Sequence, residues 1–179
     1  MKERPILFSG PMVRAILDGR KTQTRRVIKS RYKDSFGWGA AKPLILGSQE
    51  DFDARYRCPY GKRGDKLWVR EACYVESTGT ANGYGRHILY RATDQDAPVS
   101  KWTPSIHMPR WASRITLEVE SVRVERLQDI SAKDAIAEGC CDPTSSTPKR
   151  AFEWLWESIN GPGSWEANPW VWVVEFRKL

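Results

Sequence analysis

Gly19-Arg20-Lys21-Thr22-Gln23-Thr24-Arg25-Arg26 packs four cations into eight residues, directly behind a helix stop. Upstream, Pro5 to Phe8 reads as a short strand. Ser9 then caps a helix with Pro11 near its first turn, where a missing N–H costs nothing. Met12, Val13, Ile16 and Leu17 fall on one helical face, and Gly19 ends the helix. The helix therefore delivers the basic segment to a fixed place, and Thr22 to Ile28 alternates well enough to be the next strand. A charge run usually just faces water. Here Thr22 and Thr24 set hydroxyls between the cations, which suits phosphate or carbonyl contacts.

Further along, Ser30 to Gly64 shows no clean period and reads as an insertion over about 30–64. Gly64-Asp65 marks a turn, and Lys66 to Tyr74 is a strand carrying Leu67, Trp68 and Val69. His87 to Ala92 is its predicted hairpin partner, across a Gly-rich loop at Gly79 to Gly85. Asp94 to Trp111 is irregular and holds Pro98, Pro104 and Pro109, so a second insertion spans about 79–111. Ala112 to Leu127 is the clearest strand: Ile115, Leu117 and Val119 alternate, then the apolar set slips phase to Val122 and Val124. Such a slip means a bulge or a sharp coil, which is how a sheet bends towards barrel closure. Asp129-Ile130-Ser131 leads into a short helix, Ala132 to Glu138, stopped by Gly139. Pro148 opens an amphipathic helix with Phe152, Leu155, Trp156 and Ile159 inward, ending at Asn160-Gly161. Pro169 to Lys178 alternates as a last strand, with Trp170, Trp172, Val174 and Phe176 on one face, where core packing explains the aromatic rings. The pattern predicts one α+β domain over 1–179, a β-barrel with a few flanking helices.

The basic segment resembles the G-x-K-x-x-x-x-R signature of the ASCH family, relatives of PUA RNA-binding domains, through Gly19, Lys21 and Arg26. The element order agrees from end to end, including Gly64-Asp65 before a strand, Ala137-Glu138-Gly139 closing a short helix, and an aromatic C-terminal strand. Ser105 to Trp111 and Asn168-Pro169-Trp170 look like the larger ASCH proteins of phages and prophages. The resemblance implies a PUA-like barrel. It also implies an amidohydrolase that removes the acyl group from N4-acetylcytidine or a related modified nucleoside, with a Lys, a Thr and a Glu at Lys21, Thr24 and Glu138. Two other activities are implied by the same family: RNA binding without chemistry, through Lys21, Arg25, Arg26 and Arg110, or ribonuclease action in the same basic cleft with Lys21 or His107.

The chemistry of that triad is coherent. A Thr hydroxyl is a poor nucleophile until a base removes its proton. Lys serves as that base only when desolvation and neighbouring positive charge pull its pKa towards neutrality. Arg20, Arg25 and Arg26 supply charge, Glu138 would hold the amine or shuttle the proton, and Arg26 would stabilise a tetrahedral oxyanion. Further substrate contacts are expected from Glu71 on its strand, His107 in its Pro-bounded loop, and Arg110 beside Trp111.

Composition bounds the partners. The 179 residues hold 29 Lys and Arg against 22 Asp and Glu, a net +7 that attracts polyanions. Nine Trp exceed what a core of this size needs, and Trp also stacks on bases. Cys58, Cys73, Cys140 and Cys141 form no C-x-x-C pair, and His87 and His107 stand at no zinc-finger spacing from them, so no metal or other cofactor is expected. Without a signal-peptide core or an apolar run long enough to span a bilayer, a cytoplasmic protein with no membrane partner is expected, its thiols reduced.

Overall fold

The computed structural model describes residues 1–28, 58–80, 83–140 and 147–179, with side chains left out from 77 to 85. In chain order the elements are β1 (Glu3–Leu7), α1 (Gly10–Leu17), β2 (Gln23–Val27), β3 (Lys66–Arg70), β4 (Cys73–Thr80), β5 (Gly83–Tyr90), β6 (Thr116–Arg126), α2 (Ala132–Ala137), α3 (Pro148–Asn160) and β7 (Trp170–Lys178). Five strands form one mixed sheet in the order β1-β3-β6-β7-β2, and β4-β5 is a separate hairpin.

Strand β7 organises this sheet because its residues are apolar on both faces, which demands cover on both sides. Trp172, Val174 and Phe176 enter one core with Ile6, Phe8, Leu67, Leu117 and the α1 residues Val13 and Ile16. Val171 and Val173 enter a second core with Leu127, Ile130, Phe152, Trp156 and Trp165, under α2 and α3. Along β6 the pairing with β7 shifts between Val119 and Ser121, so the phase slip in the sequence is a bulge. The Gly64-Asp65 turn docks there: Gly64 N–H donates to the Val119 carbonyl and Val119 N–H to the Asp65 carbonyl, each at 2.9 Å.

Three expectations are corrected. The sheet is not a closed barrel: among the described residues no backbone hydrogen bond joins its edges, β1 and β2. Pro5 in β1 has no N–H to offer a further strand. The edges instead meet through Arg26 of β2, whose Nη2 donates to the Leu7 carbonyl at 2.6 Å and whose guanidinium carbon lies 5.3 Å from the ring of Phe8, just past β1. The single strand expected from Lys66 to Tyr74 is two, β3 and β4, broken at Glu71-Ala72. Leu67 and Val69 face the α1 core, whereas Cys73 packs with Met108 and Ala112 beneath the hairpin. Those residues share one parity, so alternation could not reveal the break. The Gly-rich stretch is no loop, since β4 and β5 stay paired from Cys73–Tyr90 to Thr80–Gly83.

Most of the expected 30–64 insertion lies outside the described residues. The 79–111 segment holds the hairpin and short 3-10 turns at Ser105–His107 and Arg110–Ala112. Ile159, expected inward, is exposed in the last turn of α3. Among the described residues no helix is long and apolar enough to cross a membrane.

One glycine ties the helices to the basic segment. Gly139 follows α2 with φ +73°, and a Cβ there would lie 2.8 Å from Lys21 Cβ and 2.9 Å from Ala15 Cβ. Strain and overlap act together, so Gly139→Ala is expected to destabilise the fold by about 2–3 kcal/mol. Urea unfolding of the variant beside the wild type measures this, and an unchanged midpoint would refute it.

Candidate functional site

The basic segment is clamped between two helix ends. Lys21 N–H donates to the Ala15 carbonyl of α1, and Thr22 N–H to the Ala137 carbonyl of α2, each at 2.9 Å. This turns the Lys21 side chain inward, where only 2% of the residue remains exposed. Its Nζ donates to Glu138 Oε2 and to the Glu138 carbonyl, both at 2.8 Å. Glu138 sits at the C-terminal cap of α2, where helix carbonyls also favour a cation. Its second oxygen accepts from Arg25 Nη1 at 3.3 Å. One buried carboxylate thus answers two buried cations.

Burial pushes the Lys21 amine below its ordinary pKa. Glu138 opposes the shift through its charge and its hydrogen bond, while the Arg26 guanidinium adds to it. Desolvation is the largest influence, and the direction is down.

Behind this pair lies a charge network that the sequence reading did not identify. Arg25, its side chain fully buried, also reaches Glu125 at 3.0 Å and Asp134 at 3.3 Å. Arg123 bonds Glu125 and Glu175 and lies 3.2 Å from Asp134. In the sheet register Arg25 and Arg123 both stand opposite Val173, and Glu125 stands opposite Val171. All therefore face the α2 side. The available signal was the alternation of Arg123 and Glu125 after the bulge, beside that of Gln23 and Arg25.

Thr24 and Arg26 point to the opposite face, beside Val174 and Trp172. Because β2 is an edge strand, a pocket at its open side is reached from both faces. That pocket, of about 300 Å3, is lined by Thr24, Arg25, Arg26 and Glu138 and by apolar residues that include Phe8, Met12, Phe152 and Trp156. Thr24 is 2% exposed, and its hydroxyl has no hydrogen-bond partner among the described residues. Arg26 Nε and the Trp156 indole N–H are buried donors, likewise without partners. Lys21 does not line the pocket and shares no hydrogen bond with Thr24; its amine approaches through Glu138. The Phe8 ring lies close to both cations, 5.7 Å from Lys21 Nζ and 5.3 Å from the Arg26 guanidinium carbon.

The remaining expected contacts lie elsewhere. Glu71 is buried in a bidentate pair with Arg114, at 2.9 and 3.0 Å, and lines a neighbouring cavity. His107 is exposed on its 3-10 turn. Arg110 is exposed and paired with Glu3 at 3.1 Å. None of the three lines the Thr24 pocket.

No protein-family model matches the chain, nor does any curated protein. The chain is similar to an ASCH domain. That domain, from Lactobacillus crispatus JV V101, was solved as a high-resolution crystal structure. It shares 10% identity at a TM-score of 0.47, with 99% of this chain and 79% of that chain covered. The chemistry of the pocket rests on its own side chains.

The lowered Lys21 pKa has a definite sign in stability. Between its folded pKa and the ordinary value near 10.4, the unfolded chain binds more protons at this position than the folded one. Stability from Lys21 therefore rises with pH through that window and is diminished below it. Chemical unfolding of wild type and Lys21→Met across neutral to alkaline pH should show the difference shifting towards the wild type as pH rises. A shift the other way would mean that Glu138 outweighs burial.

Proposed function

We propose that the chain is an amidohydrolase that deacylates an N4-acylated cytidine or a related modified nucleoside, with Thr24 as nucleophile, Lys21 as base and Glu138 as the group that holds the base. The observation that carries this reading is a buried Lys21 amine, pushed down in pKa and anchored on Glu138, while Glu138 and an unbonded Thr24 hydroxyl line one largely apolar pocket. The nucleoside comes from the resemblance of the Gly19–Arg26 segment. The acid–base chemistry comes from the side chains.

In the proposed reaction the neutral Lys21 amine takes the Thr24 proton as Oγ1 attacks the amide carbonyl. The oxyanion that forms is met by Arg26, whose Nε is a buried donor with no other bond. Collapse breaks the C–N4 bond, and the Lys21 ammonium returns its proton to the departing amine. Water then hydrolyses the acyl-Thr24 ester, releasing the carboxylic acid and restoring the hydroxyl. Thr24 and Lys21 share no hydrogen bond in this structure, so the step requires substrate to bring them together, as catalytic hydrogen bonds commonly tighten on binding.

The two rival readings draw less support. Of the cations available to grip RNA, Lys21 and Arg25 are buried against carboxylates, Arg26 is tied to Leu7, and Arg110 is paired with Glu3. His107 stands outside the pocket, which removes the base a ribonuclease would use beside Lys21.

Variants separate enzyme from binding module. Thr24→Val and Thr24→Ala should abolish release of cytidine from N4-acetylcytidine, a loss of at least about 1000-fold, because neither has an oxygen to attack with. Thr24→Ser should retain part of the rate. Lys21→Arg should be inactive, since Arg keeps its proton near neutral pH. Chromatography of the products reads all four, and full activity in Thr24→Val or Lys21→Arg would end the proposal.

A further inference from the structure

The Thr24 pocket is not isolated. Phe8, Ser9 and Ser105 are also walls of a second cavity, of about 390 Å3, whose other polar walls are Arg14, Arg91, Gln95 and Glu71. The two cavities therefore adjoin at Phe8, Ser9 and Ser105.

The charges in this second cavity do not cancel. Glu71 is matched by the bidentate Arg114. Arg14 spends one nitrogen on the Ala92 carbonyl, at 2.9 Å, and meets no carboxylate among the described residues. The Arg91 side chain has no hydrogen-bond or ion-pair partner among the described residues, nor does the Gln95 amide. Two guanidinium groups without an ion-pair partner among the described residues therefore border one cavity, whose one carboxylate, Glu71, is already matched by Arg114, an arrangement suited to phosphate. Past Arg14 and Gln95 the sign turns. The next depression is rimmed by Asp18, held by Arg20 at 2.8 Å, and by Asp96, which has no ion-pair partner among the described residues. A phosphate backbone continuing that way would run into carboxylate.

We propose that this second cavity is a phosphate subsite, and that the substrate is a mononucleotide: its acylated base enters the Thr24 pocket while Arg14 and Arg91 hold its phosphate. The inference rests on reading the Thr24 pocket as the acyl site, and it narrows the substrate from nucleoside or RNA to nucleotide.

The test uses the full chain carrying Thr24→Val, with binding read by isothermal titration calorimetry. Cytidine, cytidine 5′-monophosphate and a short cytidine-containing RNA are titrated in turn. The monophosphate should bind about tenfold tighter than cytidine, the size of one charge-assisted contact. That ratio should fall to about one when Arg14→Gln and Arg91→Gln are added. Equal binding of the two ligands, absent binding of the monophosphate, or a ratio that survives both substitutions would overturn the subsite. An RNA that binds tighter than the monophosphate through the same arginines would overturn the mononucleotide. Deacylation is assayed separately on wild-type protein with N4-acetylcytidine and its 5′-phosphate. If both remain intact the hydrolase reading fails, while the binding ratio still decides the phosphate site.

Discussion

Glu138 is a single carboxylate shared by Lys21 and Arg25, and the geometry around it constrains three parts of the chain at once. Burying an ion costs several kcal/mol unless it is paired and hydrogen-bonded. Here each partner must be brought in by a different element: Glu138 by the end of α2, Lys21 by the turn after α1, Arg25 by the edge strand β2. If any of these slides by a residue, a charge is left unanswered in the interior. The backbone bonds from Lys21 and Thr22 to the ends of α1 and α2 are the hardware that prevents the slide. Gly139 allows that approach, since any side chain there would collide with Lys21.

The same arrangement places Lys21 under opposing pressures. Burial and the Arg26 charge favour the neutral amine, and Glu138 favours the ammonium. Glu138 has a second partner in Arg25, which is in turn held by Glu125 and Asp134. The carboxylate therefore has a place to lean other than Lys21. Any movement towards Arg25 weakens the force that keeps the amine charged, so this network bears on the protonation state of Lys21. Arg25 belongs in this account: it stands on the other face of β2 from Thr24, yet lines the same pocket at the open edge of that strand.

Much of this was legible in the residues before any coordinates. Gly19, Lys21 and Thr24 announced a fixed basic segment, and the step from Val119 to Val122 announced the bulge. Glu138 came from the family resemblance, through Ala137-Glu138-Gly139 at the end of a short helix. What stayed hidden has a common physical cause: it depended on register between strands far apart in sequence. Arg25, Arg123 and Glu125 share a face only because β2 and β6 flank β7 in one alignment. The break at Glu71-Ala72 was invisible because Leu67, Val69 and Cys73 keep one parity across it. Barrel closure was inferred from a real bulge, but bending alone does not close a sheet whose outer strand carries Pro5.

That open seam is what gives the molecule a pocket. In a sheet closed by strand pairing, the β2 edge would be covered by backbone, and Thr24 would be sealed inside. With no strand pairing between the edges among the described residues, and Arg26 reaching across to Leu7 and the Phe8 ring, space remains beside β2 for α3 to roof with Phe152 and Trp156. Arg26 is thus at once the stitch across the seam and a wall of the pocket. The role also explains why a net charge of +7 says little about this site. The cations nearest Thr24 are committed to carboxylates or to a carbonyl, so the local field is set by these pairs and not by the sum of the surface. Arg14 and Arg91, without an ion-pair partner among the described residues, border the adjoining cavity past Phe8 and Ser9.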